Sequence, residues 1–117
     1  MAHDPVETNP ENYRVAFEND RVRVLEYTDE PGHVSTEHHH PDSVMITASS
    51  FHRRLHARGT SVDVELPEGA VRWLPAQDHH GENTGTTATH AFFVELKEPG
   101  PDSVAGPAPL GPAAPEG

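Results

Sequence analysis

Cysteine is missing from this 117-residue sequence, and so is any apolar run near the ~18 residues of a membrane span. The first absence excludes thiolate metal sites, a cysteine nucleophile and a disulfide framework. The second, with no charged, apolar and cleavable leader pattern, sets the expectation of a soluble cytoplasmic protein. Basic residues are scarce too: 8 Lys and Arg face 19 Asp and Glu, for a net charge of −11. Nucleic acid and anionic membrane are therefore poor partners. The small clusters Arg21/Arg23 and Arg53/Arg54/Arg58 alternate with apolar residues and read as solvated strand faces. No Gly-rich phosphate loop is present, and the Ser49-Ser50 pair has no base-and-orienter arrangement that would make a nucleophile. No window carries a 3.6-residue apolar period.

What remains is alternation. Strands are expected over 13–17, 21–28, 44–49, 51–57, 61–66, 70–74 and 86–97, separated by Gly, Pro and Asp turn signals, with 77–85 irregular. Short strands at this spacing argue for one all-β domain, a sandwich or barrel. The polar residues 1–12 form an N-terminal arm, 13–98 the domain, and 99–117 a Pro/Gly/Ala-rich tail that cannot order itself but can lie along the domain through Val104 or Leu110.

The composition is unusual in one respect: it contains 10 histidines. Three of them, His38-His39-His40, lie between Gly32 and Pro41-Asp42. In an extended segment His38 and His40 share a face, about 7 Å apart along the chain, and His39 points away. Two imidazoles so placed reach one cation but need a third ligand, for which Asp78-His79-His80-Gly81-Glu82-Asn83 is the outstanding region. Three neutral imidazoles hold a dication and leave positions open, as catalytic metal sites do.

From 21 to 97 the chain resembles a small single-domain cupin. Gly32, His38 and His40 match the first cupin motif at its spacing, while the motif's glutamate ligand falls on Val44 or Met45 and its closing glycine on Phe51. Gly69 and Pro75 match the second motif, whose inner glycine is Gln77. Counting from Pro75 selects His80, and the His-x-x-x-Asn spacing to Asn83 selects His79. His79 is preferred and His80 is the fallback. The resemblance implies a cupin-type double-stranded β-helix (jelly-roll) barrel and, without the glutamate, a three-histidine centre of His38, His40 and His79. Such a centre holds Fe(II) by preference, or Ni, Mn, Zn or Cu, and the cupins that have one include iron-dependent dioxygenases. The expected activity is that of a dioxygenase or other oxidoreductase or lyase on a small organic molecule. The alternative is a non-catalytic metal- or small-ligand-binding cupin.

A homodimer is also expected, with the strand over 13–17 available to pair across it. Asp42 and Glu37 are weak candidates for a substitute carboxylate. His52, His56 and His90 alternate on strands and can line a pocket, and Glu82, Gln77, His90 and Arg54 are the candidates for acid/base work. Phe51, Trp73, Phe92 and Phe93 are assigned to the core or an interface, and Asn83 to a turn.

Overall fold

Pairing, more than intrinsic propensity, decides where strands form in this chain. In the computed structural model, which describes residues 3–98 and 110–113, the strands are β1 (Tyr13–Glu18), β2 (Val22–Asp29), β3 (His38–His40), β4 (Ser43–Thr47) and β5 (Phe51–Ala57), then β6 (Thr60–Leu66), β7 (Val71–Leu74), β8 (Gln77–Asn83) and β9 (Thr89–Leu96). They form two antiparallel sheets, ordered β1-β2-β9-β4-β7 and β3-β8-β5-β6. The expected strands over 51–57 and 61–66 are found almost unchanged, although the apolar face of the cleanly alternating 61–66 is buried only towards Leu66, Val62 being 37% exposed.

The segment over 77–85 departs from expectation. Its His, Asn and Gly content predicts irregular structure, yet β8 occupies most of it. Two partners impose the extended backbone: β3 on one side, with His38 opposite His79, and β5 on the other, with Leu55 opposite Gly81.

The sheets face each other across a core of Leu25, Tyr27, Met45, Phe51, Leu74 and Phe93, with Tyr13 buried at its end. Full burial of such side chains contributes about 1.5–3 kcal/mol each. Gly32 and Gly69, the two glycines that begin the motifs, have φ of 88° and 83°, a left-handed backbone that side chains with a Cβ rarely adopt. Each closes a turn, Gly32 N–H donating to Asn83 O and Gly69 N–H to Thr47 O, both at 2.9 Å.

The arm contains a single helical turn, Pro5–Thr8, capped by Asp4, whose carboxylate accepts from Val6 N–H. Asn9 behind it is buried. Within the tail, Val104 lies outside the described residues, while the stretch 110–113 packs on the barrel: Gly111 N–H donates to Gln77 Oε1 at 2.9 Å and Ala113 N–H to Trp73 O at 2.7 Å.

Arg53, expected on a solvated strand face, instead points into the barrel and is 8% exposed. Its charge is met inside by Asp29 at 2.6 Å and Thr89 Oγ1 at 3.0 Å, and its guanidinium lies over the Tyr27 ring. Arg23 is also half-buried, paired with Asp4 and Glu95.

Candidate metal centre

β3 is three residues long and its burial alternates, with His38 and His40 inward and His39 outward against Asp78. β8 delivers His79 directly opposite His38. The three inward rings lie with centroids 4.8 Å (His38–His40), 5.1 Å (His38–His79) and 5.1 Å (His40–His79) apart. One ring nitrogen from each is within 4.8 Å of the others, and all three side chains are buried.

The outer nitrogens of the rings are already engaged. His38 Nδ1–H donates to Thr36 O at 2.7 Å, and His79 Nδ1–H donates to Gln77 Oε1 at 2.7 Å. His40 Nδ1 faces Glu95 Oε2 at 3.5 Å, and these two buried atoms have no closer partner. Protons held at Nδ1 by these acceptors leave Nε2 as the lone pair in His38 and His79, the nitrogen a metal would need.

Tyr13 Oη enters the same space, 3.4 Å from His38 Nε2 and 3.3 Å from His40 Nε2. Burial pushes the pKa values of His38, His40 and His79 down, and the neighbouring imidazoles reinforce the shift at His40 and His79. Three neutral, convergent nitrogens with oriented rings fit a borderline divalent cation.

Beside the triad is a cavity of about 50 Å³ with mostly apolar walls. Tyr13, Tyr27, His38, Arg53 and His79 line it, and Pro112 of the tail closes it. Asp29 anchors the polar side of this space. Burial alone would raise its pKa, but the Arg53 charge and hydrogen bonds from Tyr27, Arg53 and Asn83 hold it below the usual carboxylate value.

The remaining sequence candidates fall outside the triad. His80 turns outward and stacks on His56 at 4.8 Å, and His56 Nε2 faces Glu82 at 3.3 Å. His90 pairs with Glu26, His52 with Thr84, and Arg54 with Asp63 on the exposed surface. None of these six lines the cavity beside the triad. Asp42 Oδ1 caps Ala76 N–H, and Glu37 is exposed. Gln77 alone among the proposed polar groups serves the triad, as the acceptor that orients His79. Asn83 is buried and donates to Asp29 and Thr87 O. Phe51 and Phe93 are core, whereas Trp73 is 41% exposed on the outer face.

Tyr13, Arg53, Glu95 and Asn9 were not singled out in the sequence. The fold brings each to the site from a distant element, and no local spacing announces that.

No family model matches the sequence, and no curated protein is similar to it. Solved structures are. A cupin domain from Bordetella pertussis Tohama I superposes with a TM-score of 0.69 at 26% identity, over 74% of this chain and 92% of that one. An RmlC-like cupin with a double-stranded β-helix from Methanocaldococcus jannaschii gives 0.58 at 13% identity, over 72% and 77%. An uncharacterised conserved double-stranded β-helix protein from Klebsiella pneumoniae gives 0.56 at 19%, over 75% and 78%. The chain has the cupin double-stranded β-helix fold, and inside it a three-histidine group able to hold a metal.

Proposed function

We propose that this cupin is a divalent-metal enzyme acting on a small organic molecule, with His38, His40 and His79 as its ligands. Fe(II) is the first candidate metal, ahead of Ni, Mn, Zn or Cu, and the reaction is of the dioxygenase or another oxidoreductase or lyase type. The observation that carries the reading is the convergence of three buried, neutral imidazoles beside a cavity. When bound, the metal supplies Lewis acidity and open positions for oxygen or for a carbonyl, enol or carboxylate of the substrate. The chain's own contribution is orientation and exclusion of water. Thr36 O and Gln77 hold the rings with Nε2 inward, and Met45, Leu55, Leu74 and Phe93 form apolar cavity walls. Arg53, held by Asp29 and Tyr27, places a cationic edge on the cavity and favours a substrate with an acidic or enolic oxygen.

The test is metal content together with turnover. Purified protein dialysed against Fe(II) should retain one equivalent and consume oxygen with some member of a panel of diketones, phenols and thiols. Retention well under one equivalent, unchanged in His38→Ala, overturns the metal reading.

The small cavity favours a second reading, a metal- or small-ligand-binding cupin without turnover, since ~50 Å³ is far below an ordinary substrate pocket. Tight metal binding with silence across the panel would decide for it.

A homodimer completes the proposal. Val71, Trp73 and Ile46 sit exposed on the outer face of the five-stranded sheet, and Phe17 on its edge strand β1, an apolar surface suited to a second copy. Light scattering of the purified chain tests it.

A further inference from the structure

The first cupin motif ordinarily brings a carboxylate to the metal, and here its place is taken by Val44 or Met45, neither of which offers an oxygen. The barrel brings an oxygen to the triad by another route. Tyr13 Oη, from the start of β1, stands 3.4 Å from His38 Nε2 and 3.3 Å from His40 Nε2.

This is a poor arrangement for an ordinary core hydrogen bond. A phenol can donate to one nitrogen and accept from the other if that ring is protonated there, but both contacts are longer than a good hydrogen bond. It suits two donors on one cation. Ligands at about 2.0–2.1 Å from one metal lie about 3–3.4 Å from each other, close to the separations found on both sides of the oxygen. The ring is also held in place. It packs against Tyr27 with centroids 4.6 Å apart and against both histidines at 5.5 and 5.8 Å. Tyr13 N–H donates to Asn9 O at 3.0 Å, and the Asn9 side chain binds Thr36, whose carbonyl orients His38. The buried Asn9 thus positions Tyr13 and His38 together.

We infer that Tyr13 is the fourth protein ligand of the metal, an oxygen donor supplied by β1 in place of the motif glutamate. The centre is then three nitrogens and one oxygen, with one fewer open position than three histidines alone would leave.

The inference rests on the metal reading above, and the experiment separates the two. Wild type, Tyr13→Phe and Tyr27→Phe are loaded with Fe(III), and in parallel with Cu(II), as spectroscopic probes, and their metal content is measured. The chain has 2 tyrosines, so a band that persists in Tyr27→Phe belongs to Tyr13 even if Tyr13→Phe fails to fold. Expected are one equivalent of metal and a visible tyrosinate-to-metal charge-transfer band in wild type and Tyr27→Phe. Tyr13→Phe should lose the band and roughly tenfold or more in affinity. One equivalent bound without the band, or the same band in Tyr13→Phe, overturns the ligand assignment and leaves the triad standing. No metal bound by wild type overturns both.

Discussion

The two faces of the β5–β8 pair carry nearly the same residue types and do opposite things. Outward lie Arg54, paired with exposed Asp63, and His80, stacked on His56 next to Glu82. Inward, one residue earlier on each strand, lie Arg53 and His79. The outer groups keep their water and neutralise each other at little gain. The inner ones have lost theirs, so each has a designated partner: Asp29 for Arg53, Gln77 for His79. The pleat of a single strand pair thus sorts chemically equal side chains into a solvated surface and a desolvated interior.

Truncating an imidazole on one side of that pleat or the other should give the largest difference, read in metal content. His79→Ala is expected to take metal content from one equivalent to near zero after dialysis, and His80→Ala to leave it at one. Loss in both variants, measured by elemental analysis, would mean that the two faces share a site.

The arginines come next. Arg53→Ala strands Asp29 as an uncompensated buried charge and should cost about 3–5 kcal/mol in urea denaturation, whereas Arg54→Ala should leave the midpoint unmoved. Gly81 belongs to the same test, since a Cβ there would lie 2.6 Å from Arg53 Nη2. Gly81→Ala is expected to destabilise in wild type and much less when Arg53 is already alanine.

A third test is pH. Native His38, His40 and His79 titrate below the ordinary value of 6.5 because burial disfavours their charge. Below about pH 6.5 the unfolded chain therefore binds protons that the native state refuses, and stability falls as pH falls, by up to about 1.4 kcal/mol per unit for each imidazole. Burial raises the Glu95 carboxyl against the pull of Arg23, so its native state gains a proton first and offsets part of the loss at the acid end. Urea midpoints of metal-free protein at pH 7.5, 6.5 and 5.5 should fall in that order, and the slope should shrink in His40→Gln.

The smallest effect is expected at Gln77. Gln77→Leu removes the acceptor that orients His79 and should lower metal affinity about 10–100-fold by competition with a chelator, with the fold intact by circular dichroism.

Much of this comparison was legible in advance. Period-two alternation placed His38 and His40 together and His39 apart, and the spacing to Asn83 preferred His79 over His80. What the alternation could not say was which face is the inside. For 51–57 it separated Arg53 from Arg54 without telling which would be buried, because that depends on Asp29, 24 residues away in sequence and close only once the sheets have closed. β8 was invisible for a related reason, its extended backbone being imposed by neighbours on both sides. Tyr13 was not set apart because alternation places it on one face with Val15 and Phe17, whereas the fold buries Tyr13 and exposes the other two, the register shifting between Val15 and Phe17.

The bridge between His3 and His38, where His39 N–H donates to His3 O at 2.8 Å, has a consequence for self-association. β3 is the edge of the four-stranded sheet, and an uncovered edge recruits strands from other molecules. The arm lies on that edge, and the Asn9 that ends its helical turn also braces His38 and Tyr13. Peeling the arm away would therefore loosen the triad and bare a templating edge in a single motion. Disordering the three-histidine group and promoting strand-to-strand aggregation are, in this architecture, two outcomes of one local unfolding event.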